Sequence, residues 1–197
     1  MLNIGVLISG GGTNLQAIID ETKSGGINGT VKLVISNKEN AYGFERARLS
    51  KIKAVYETDE DKIIELLKEN NIDLIVLAGY LKIITPKFVD EFRNKIINIH
   101  PSLIPSFCGK GYYGEKVHQG VIDYGAKVTG ATVHFVDEGA DTGAIIMQET
   151  VNVEQDDDAK SLAKRVLEVE HRILKESIRL FCENKLSIQG RRVFINE

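Results

Sequence analysis

The expected architecture follows from one stretch near the start of the chain, Asn3-Ile4-Gly5-Val6-Leu7-Ile8-Ser9-Gly10-Gly11-Gly12-Thr13-Asn14. Its first seven residues form a continuous apolar run, which is typical of a parallel strand that is covered on both faces. After the glycines, apolar side chains recur at helical spacing, at Leu15, Ala17, Ile18 and Ile19. A strand, a glycine turn and a helix in this order predict an α/β unit.

The glycine turn is a candidate phosphate site, because free backbone N–H groups and the positive end of the helix dipole meet there. Gly12, Thr13 and Asn14 are the candidate binding residues, and Thr13 or Asn14 is expected to cap the helix. No Lys follows the glycines, which excludes a Walker loop, and Leu15 stands at the third glycine position of a dinucleotide fingerprint. The alternative is a tight structural turn. Three consecutive glycines exceed what most turns need, which favours a phosphate monoester.

Strands and helices alternate after this unit. Further strands are predicted over residues 31–36, 54–56, 73–79, 97–100, 129–136 and 144–151, helices over 44–49, 59–70, 115–123 and 159–184 and from Pro86, and a hairpin over 186–195. Alternation implies right-handed parallel crossovers, so functional loops should collect at the carboxyl ends of the strands. Gly12, Leu81 and His100 follow such ends and are expected to share one cleft. The sequence predicts a single doubly wound α/β domain, residues 1–197, with a mostly parallel sheet.

Ile97-Asn98-Ile99-His100-Pro101 is the strand expected to carry the chemistry. Side chains two apart point to the same face, so Asn98 and His100 project together while Ile97 and Ile99 pack the other way. Pro101 cannot donate to a central ladder, so the strand should end at His100. A carboxamide and an imidazole at a strand end can stabilise an oxyanion, and His can also act as an acid or base. Alternatively, Asn98 caps a turn and His100 is a core histidine.

Two acidic residues and one histidine in the second half of the chain are further candidates. Glycines near Asp141 allow a backbone path that aims its carboxylate inward, although most such aspartates bond their own backbone. Glu170 lies on the apolar stripe of the last helix, so it is either at the edge of the core or held by a partner. His134 is as consistent with a structural role as with a site role. The glycine-rich and aromatic segment Ser106–Gly114 is typical of a mobile lid.

Composition limits the possible classes of function. The 197 residues are 43% hydrophobic and 27% charged, as in an ordinary soluble domain, and the net charge of −3 argues against general nucleic-acid or membrane-surface binding. Cys108 and Cys182 give neither a disulfide framework nor metal-ligand spacing, which predicts a reduced, cytoplasmic setting and no metal site. The apolar start is too short for a membrane span and lacks the basic beginning of a signal peptide.

Four segments resemble those of the phosphoribosylglycinamide formyltransferases, folate-dependent enzymes of purine biosynthesis. They are Ile8–Ile18, Leu77–Ile83, Asn98–Leu103 and the loop containing Asp141. The third is shared by all 10-formyltetrahydrofolate formyltransferases and their hydrolase relatives, and the first points to a ribonucleotide substrate. The resemblance implies a formyltransferase-like fold. It also implies formyl transfer from the co-substrate 10-formyltetrahydrofolate to the amine of glycinamide ribonucleotide, on the route to IMP.

The resemblance also implies roles for individual residues. The catalytic residues would be Asn98, His100 and Asp141. The ribonucleotide would contact Gly12, Thr13, Asn14 and Glu170. The folate would contact Leu81, Lys82, Ile83, Ile84, Asn98, Ala140 and Asp141. Two features depart from the family: position 82 is Lys where members often have Arg, and the segment 56–62, where the family places a basic folate contact, is shorter than usual.

The expected reaction is attack of an amine on a formyl carbonyl, which forms an oxyanion and a cationic nitrogen. Asn98 and a protonated His100 would stabilise the oxyanion, and Asp141 would raise the His100 pKa and assist proton removal through water. No metal is needed. The main alternative is a 10-formyltetrahydrofolate hydrolase with the same three residues and water as acceptor.

Two other functions are weighed against the transferase. A methionyl-tRNA formyltransferase fits less well because no second, basic domain follows. A non-enzymatic nucleotide-binding module would need no folate site. The expected partners are therefore the two small substrates, with no nucleic acid or membrane, and the protein should be a monomer or a homodimer.

Overall fold

The computed structural model describes residues 1–196, and its nine strands form one sheet. In chain order the elements are β1 Leu2–Ile8, α1 Thr13–Ser24, β2 Gly29–Ser36, α2 Gly43–Leu49, β3 Lys53–Tyr56, α3 Glu60–Glu69, β4 Leu74–Leu77, α4 Pro86–Glu91, β5 Ile96–His100, α5 Glu115–Tyr124, β6 Val128–Phe135, β7 Ile145–Asn152, α6 Ala159–Cys182, β8 Leu186–Gln189 and β9 Arg192–Ile195. The predicted elements are all present, with ends shifted by one or two residues.

The sheet has the order β3-β2-β1-β4-β5-β6-β7-β9-β8. The first five strands in this order are parallel, which confirms the doubly wound arrangement. β6 then runs antiparallel to β5, and β7 antiparallel to β6. The terminal hairpin β8–β9 joins β7 through one parallel residue pair. The winding reverses between β1 and β4, and in open α/β sheets ligands bind beyond the carboxyl ends of the strands at this point.

Apolar side chains form a core on each face of the sheet. On one face α1, α2, α5 and α6 pack against a cluster that includes Ile97 and Ile99. On the other face α3 and α4 pack against Leu7 and Ile96. Asn98 lies two residues after Ile96 and therefore points to the same face as Ile96, opposite to Ile97 and Ile99. The directions predicted for these residues are confirmed. Because both faces of the central strands are covered, β1 and β4 read as continuous apolar runs.

Helix ends follow from local chemistry. The side chain of Asp59 accepts from the N–H groups of Asp61 and Lys62 and so begins α3. Asp158 caps α6 in the same way and completes a capping box with Ser161. None of the helices within residues 1–196 combines the length and the apolar character needed to cross a membrane.

Candidate active site

A cavity of about 610 Å³ opens at the carboxyl ends of β1, β4 and β5, at the reversal point of the sheet. Gly12, Leu81 and His100 all line it, as the alternation of strands and helices predicts. The lining also contains the other candidates from the sequence, which are Thr13, Asn14, Lys82, Ile83, Ile84, Asn98, Ala140, Asp141 and Glu170. The structure therefore brings all of the predicted site residues to one place.

The side-chain amide of Asn98 is held by two neighbours. Its Nδ2 atom lies 3.1 Å from His134 Nε2 and 3.4 Å from Asp141 Oδ1. His134 donates its other ring nitrogen, Nδ1, to the carbonyl oxygen of Phe135 at 2.7 Å, so in the neutral ring Nε2 is the acceptor for Asn98. His134 therefore fixes the orientation of the amide. The contact with Asp141 is the longer of the two.

His100 ends β5 with a buried ring and an oxygen atom near each nitrogen. Nε2 lies 2.9 Å from the carbonyl oxygen of Phe107, to which it donates, and Nδ1 lies 3.6 Å from Asp141 Oδ2. Burial lowers the pKa of His100 below the ordinary 6.5, and the opposing effects of Asp141 and the Phe107 carbonyl do not offset it. The pKa of His100 is therefore lowered in the free protein, whereas the prediction of a protonated ring concerns the reaction. Asp141 acts in the expected direction, but burial has the larger effect.

The carboxylate of Asp141 connects β5 with the segment 106–114. Its Oδ2 atom accepts from the backbone N–H of Gly109 at 2.8 Å, and its two oxygens face the His100 and His134 rings at 3.6 Å. Burial alone would raise the pKa of Asp141, but these two rings and the Gly109 N–H hold it below the ordinary 3.8. Asp141 is therefore ionised at neutral pH. Its side chain is turned into the site rather than bonded to its own loop.

The glycine turn presents a row of unoccupied backbone donors. Gly12, not Thr13 or Asn14, is the N-cap residue of α1; it has φ 69°, and no side chain caps the helix. Within residues 1–196, no hydrogen bond engages the N–H groups of Gly11, Gly12, Thr13 or Asn14. A Cβ atom at Gly12 would lie 3.0 Å from the Cα atom of Gly43, so both the positive φ and the close approach require glycine.

Glu170 of α6 is buried beside the start of α1 and is held by a partner. The Asn14 side chain donates from Nδ2 to Glu170 Oε2 at 2.8 Å. Burial raises the pKa of Glu170 to about 7, and the bond from Asn14 lowers it only in part. Among the described residues, the buried Oδ1 atom of Asn14 has no hydrogen-bond partner. Buried polar atoms without partners are rare, so this end of the cavity is suited to a ligand with donor groups.

Comparison with known proteins agrees with this geometry. The family described as formyl transferase matches residues 2–178. The chain belongs to the formyl transferase family.

Two relatives and one solved structure show how close the similarity is. A phosphoribosylglycinamide formyltransferase from Haemophilus influenzae is 42% identical over 206 residues, covering 100% of this chain and 94% of the relative. A chloroplastic phosphoribosylglycinamide formyltransferase from Vigna unguiculata is 41% identical over 93% of this chain, which spans only 62% of that relative's length. The crystal structure of glycinamide ribonucleotide transformylase 1 from Symbiobacterium toebii matches with a TM-score of 0.94 and 44% identity, covering 100% and 95% of the two chains.

The segment after β4 gives this formyl transferase an apolar rim. The side chains of Leu81 and Ile83 are 53% and 67% exposed at the cavity mouth, while Ile84 is buried beneath them. Ser9 Oγ accepts from the N–H of Leu81 at 2.9 Å and ties the rim to the end of β1. Lys82 Nζ donates to the carbonyl oxygen of Thr58 at 2.7 Å, so it bridges to the segment 56–62. The rim has the exposed apolar surface that a flat heterocycle would cover.

The segment 106–114 closes the site from the opposite side. Gly109 to Gly114 line the cavity, and Gly109, Gly111 and Gly114 all have positive φ. Phe107 packs edge-on against Tyr112, with ring centroids 6.0 Å apart. Burial raises the pKa of Cys108, which leaves the thiol protonated and does not suit a nucleophile.

Two further histidines line the cavity: His134, for which the sequence left a structural and a site role open, and His118, which was not among the predicted site residues. His134 lies opposite Asn98 in the β5–β6 ladder, and that antiparallel register was not predicted from the alternating pattern. His118 of α5 lines the cavity; burial, and then the nearby His100, lower its pKa to about 4. Its Nδ1 atom has no partner among the described residues. The described residues contain no group of three or more His, Cys, Asp or Glu side chains placed to hold a metal ion.

Proposed function

We propose that this protein transfers the formyl group of 10-formyltetrahydrofolate to the amine of glycinamide ribonucleotide, a step of purine biosynthesis. The observation that carries the proposal is that one cavity contains both the free N–H groups of the glycine turn and the cluster of Asn98, His100 and Asp141. A phosphate group and a reacting carbonyl can therefore be held at the same time. The similarity to named phosphoribosylglycinamide formyltransferases supports the same activity.

The ribonucleotide would bind along the side of the cavity formed by α1 and α6. The N–H groups from Gly11 to Asn14 would hold its phosphate, because they have no other partner and lie at a helix N-terminus. The Glu170 carboxyl and the unpartnered Asn14 Oδ1 are acceptors for hydroxyl or amine hydrogens of the same molecule. The folate would lie against the apolar rim from Leu81 to Ile84 and the turn at Ala140–Asp141.

Asn98 would stabilise the oxyanion that forms when the amine attacks the formyl carbonyl. Its amide already presents Nδ2 to the site, because the bond to His134 holds it in that orientation. The second N–H of Nδ2, which faces Asp141 Oδ1 across 3.4 Å, can donate to the developing oxyanion in place of Asp141 while the first stays bonded to His134. A donor that is oriented in advance costs little reorganisation at the moment of reaction.

His100 would carry the proton from the amine to the leaving nitrogen. Because its pKa is lowered in the free protein and Nε2 donates to the Phe107 carbonyl, Nδ1 is free to accept the proton that the attacking amine must lose. The resulting imidazolium faces the Asp141 carboxylate and stands beside the oxyanion, so it stabilises both charges. It then returns the proton to N10 of the folate as the C–N bond breaks, which leaves His100 neutral again.

The test measures formylated ribonucleotide and formate in the same reaction, with and without glycinamide ribonucleotide. We expect folate turnover to depend on the ribonucleotide and to give the formylated product in excess over formate. Turnover that is independent of the ribonucleotide and gives mostly formate would instead identify a hydrolase. Asn98→Ala serves as the inactive control, and it should reduce both products.

A further inference from the structure

Helix α2 is fastened to the glycine turn by two hydrogen bonds that end on consecutive carbonyl groups. The backbone N–H of Gly43 donates to the carbonyl oxygen of Gly10 at 3.1 Å. The side chain of Arg46 donates from Nε to the carbonyl oxygen of Gly11 at 2.7 Å. Neither bond belongs to a helix or to the sheet, and α2 lies outside the set of elements that carry the predicted site residues.

These two bonds set the direction of the N–H groups on the other side of the turn. In a trans peptide unit the C=O and N–H groups point in opposite directions. The carbonyls of Gly10 and Gly11 point to α2, so the N–H groups of the same two peptide units, which belong to Gly11 and Gly12, point away from α2. These are two of the free donors. The charge of Arg46 also polarises the second peptide unit, which makes the Gly12 N–H a stronger donor.

The guanidinium of Arg46 is fixed in place but keeps its charge available. It lies over the ring of Tyr42, 5.3 Å from the ring centre, and reaches Gln16 Oε1 at 3.4 Å. Gly12 packs closely on Gly43 and Arg46 Cδ, so the turn has no room to move toward α2, while the two hydrogen bonds keep it from moving away. Arg46 forms no ion pair with an acidic side chain of residues 1–196, whereas Arg48 on the same helix pairs with Glu45. An uncompensated cation against the turn favours an anionic ligand.

We propose that Arg46 is a positioning residue for the phosphate group of the acceptor: it orients the N–H groups of the glycine turn and supplies the positive charge behind them. This inference rests on the proposed function only for the identity of the acceptor. It makes the glycine turn a preformed phosphate site whose geometry depends on a side chain more than thirty residues away in sequence. Specificity for a phosphorylated acceptor would then depend on α2.

The experiment compares Arg46→Met with the matched control Arg48→Met, using glycinamide ribonucleotide and its dephosphorylated riboside as acceptors. Arg46→Met should raise KM for the ribonucleotide about tenfold or more, the size expected for one charge-assisted hydrogen bond, with kcat and the folate KM close to wild type. The efficiency with the riboside should not change. Arg48→Met should leave all of these constants unchanged. An equal loss with both acceptors, or no loss with the ribonucleotide, would overturn the proposal.

A binding measurement separates this inference from the proposed reaction. Calorimetry with ribose 5-phosphate and with ribose should show that Arg46→Met weakens only the phosphorylated probe. Arg46→Lys, which retains a cation over Tyr42, should give an intermediate affinity, and it decides the question if Arg46→Met does not fold. Binding of ribose 5-phosphate that is unaffected by both variants contradicts the role of Arg46. A wild-type protein that binds this probe but transfers no formyl group contradicts only the proposed function.

Discussion

Glu170→Gln should make the protein more stable at alkaline pH, although it removes a side chain of the candidate site. Glu170 is buried, and its only polar partner among the described residues is the amide of Asn14. Burial disfavours the charged form, and the pKa of Glu170 is accordingly raised to about 7. An ionised carboxylate at this position costs stability. A neutral amide of the same shape does not ionise.

The size and the pH range of the effect follow from the pKa in the two states. Below the ordinary value of 4.5 the carboxyl is protonated in both the folded and the unfolded chain, so it contributes no difference. As the pH rises from about 4.5 to about 7, the unfolded chain releases the proton while the folded protein retains it, so the free energy of unfolding falls. At about 1.4 kcal/mol per pKa unit, the loss approaches about 3 kcal/mol and is complete above about pH 7.

The assay is urea unfolding of wild type and Glu170→Gln between about pH 5 and about pH 9, followed by circular dichroism because the chain has no Trp. Groups that titrate equally in the wild type and in the variant cancel in the difference between the two free energies of unfolding. We expect similar stabilities at about pH 5 and a gain for the variant of up to about 3 kcal/mol at about pH 8. The control is Glu168→Gln, an exposed position on α6, which should show no such trend. A pH-independent difference for Glu170→Gln would refute the reasoning.

Three shorter predictions concern the rest of the site. Gly12→Val should raise KM for the ribonucleotide and leave the folate KM unchanged, because the new side chain meets Gly43 and displaces the turn. An equal rise of both KM values in steady-state assays would indicate general damage to the fold. Asn98→Ala should lower kcat roughly 10²-fold with little change in KM, as for loss of an oxyanion donor, and near-normal kcat would exclude that role. Asp141→Asn should lower the His100 pKa further in an NMR titration, since the nearby carboxylate opposes the effect of burial, and an unchanged titration would show that the two groups are not coupled.

The parallel half of the fold could be predicted because local rules and tertiary packing agree there. The run at residues 4–8 carries no polar side chain since both faces of β1 are covered, and Pro101 marks the end of β5. Placing Gly12, Leu81 and His100 in one cavity then needed only the rule that parallel strands end at the same edge. The family resemblance added roles for these residues, and those roles stay predictions that the assays above test.

The features that were missed depend on three-dimensional burial and on an antiparallel register. The lowered pKa of His100 was not foreseen, because the sequence shows the charge of Asp141 but not the larger effect of burial. His134 could not be assigned because its role depends on lying opposite Asn98, a register fixed only when β6 pairs with β5. The helix cap was assigned to Thr13 or Asn14 from residue preference. The observed Gly12 cap depends on contact with α2, which is distant in sequence.

The change of strand direction at β5 explains why the loop 137–143 has its unusual path. β6 runs antiparallel to β5 and ends opposite Ile97, near the amino end of β5, so a carboxylate following β6 must return to the level of Asn98. Asp141 does so with φ 58°, and a Cβ atom on Gly143 would lie 1.8 Å from the carbonyl oxygen of Phe135. The strained path places one carboxylate between two strands of opposite direction. The parallel half of the sheet therefore supplies the N–H groups of the glycine turn, and the antiparallel half supplies the carboxylate of Asp141. β5 borders both halves, and the two substrates would meet at its residues Asn98 and His100.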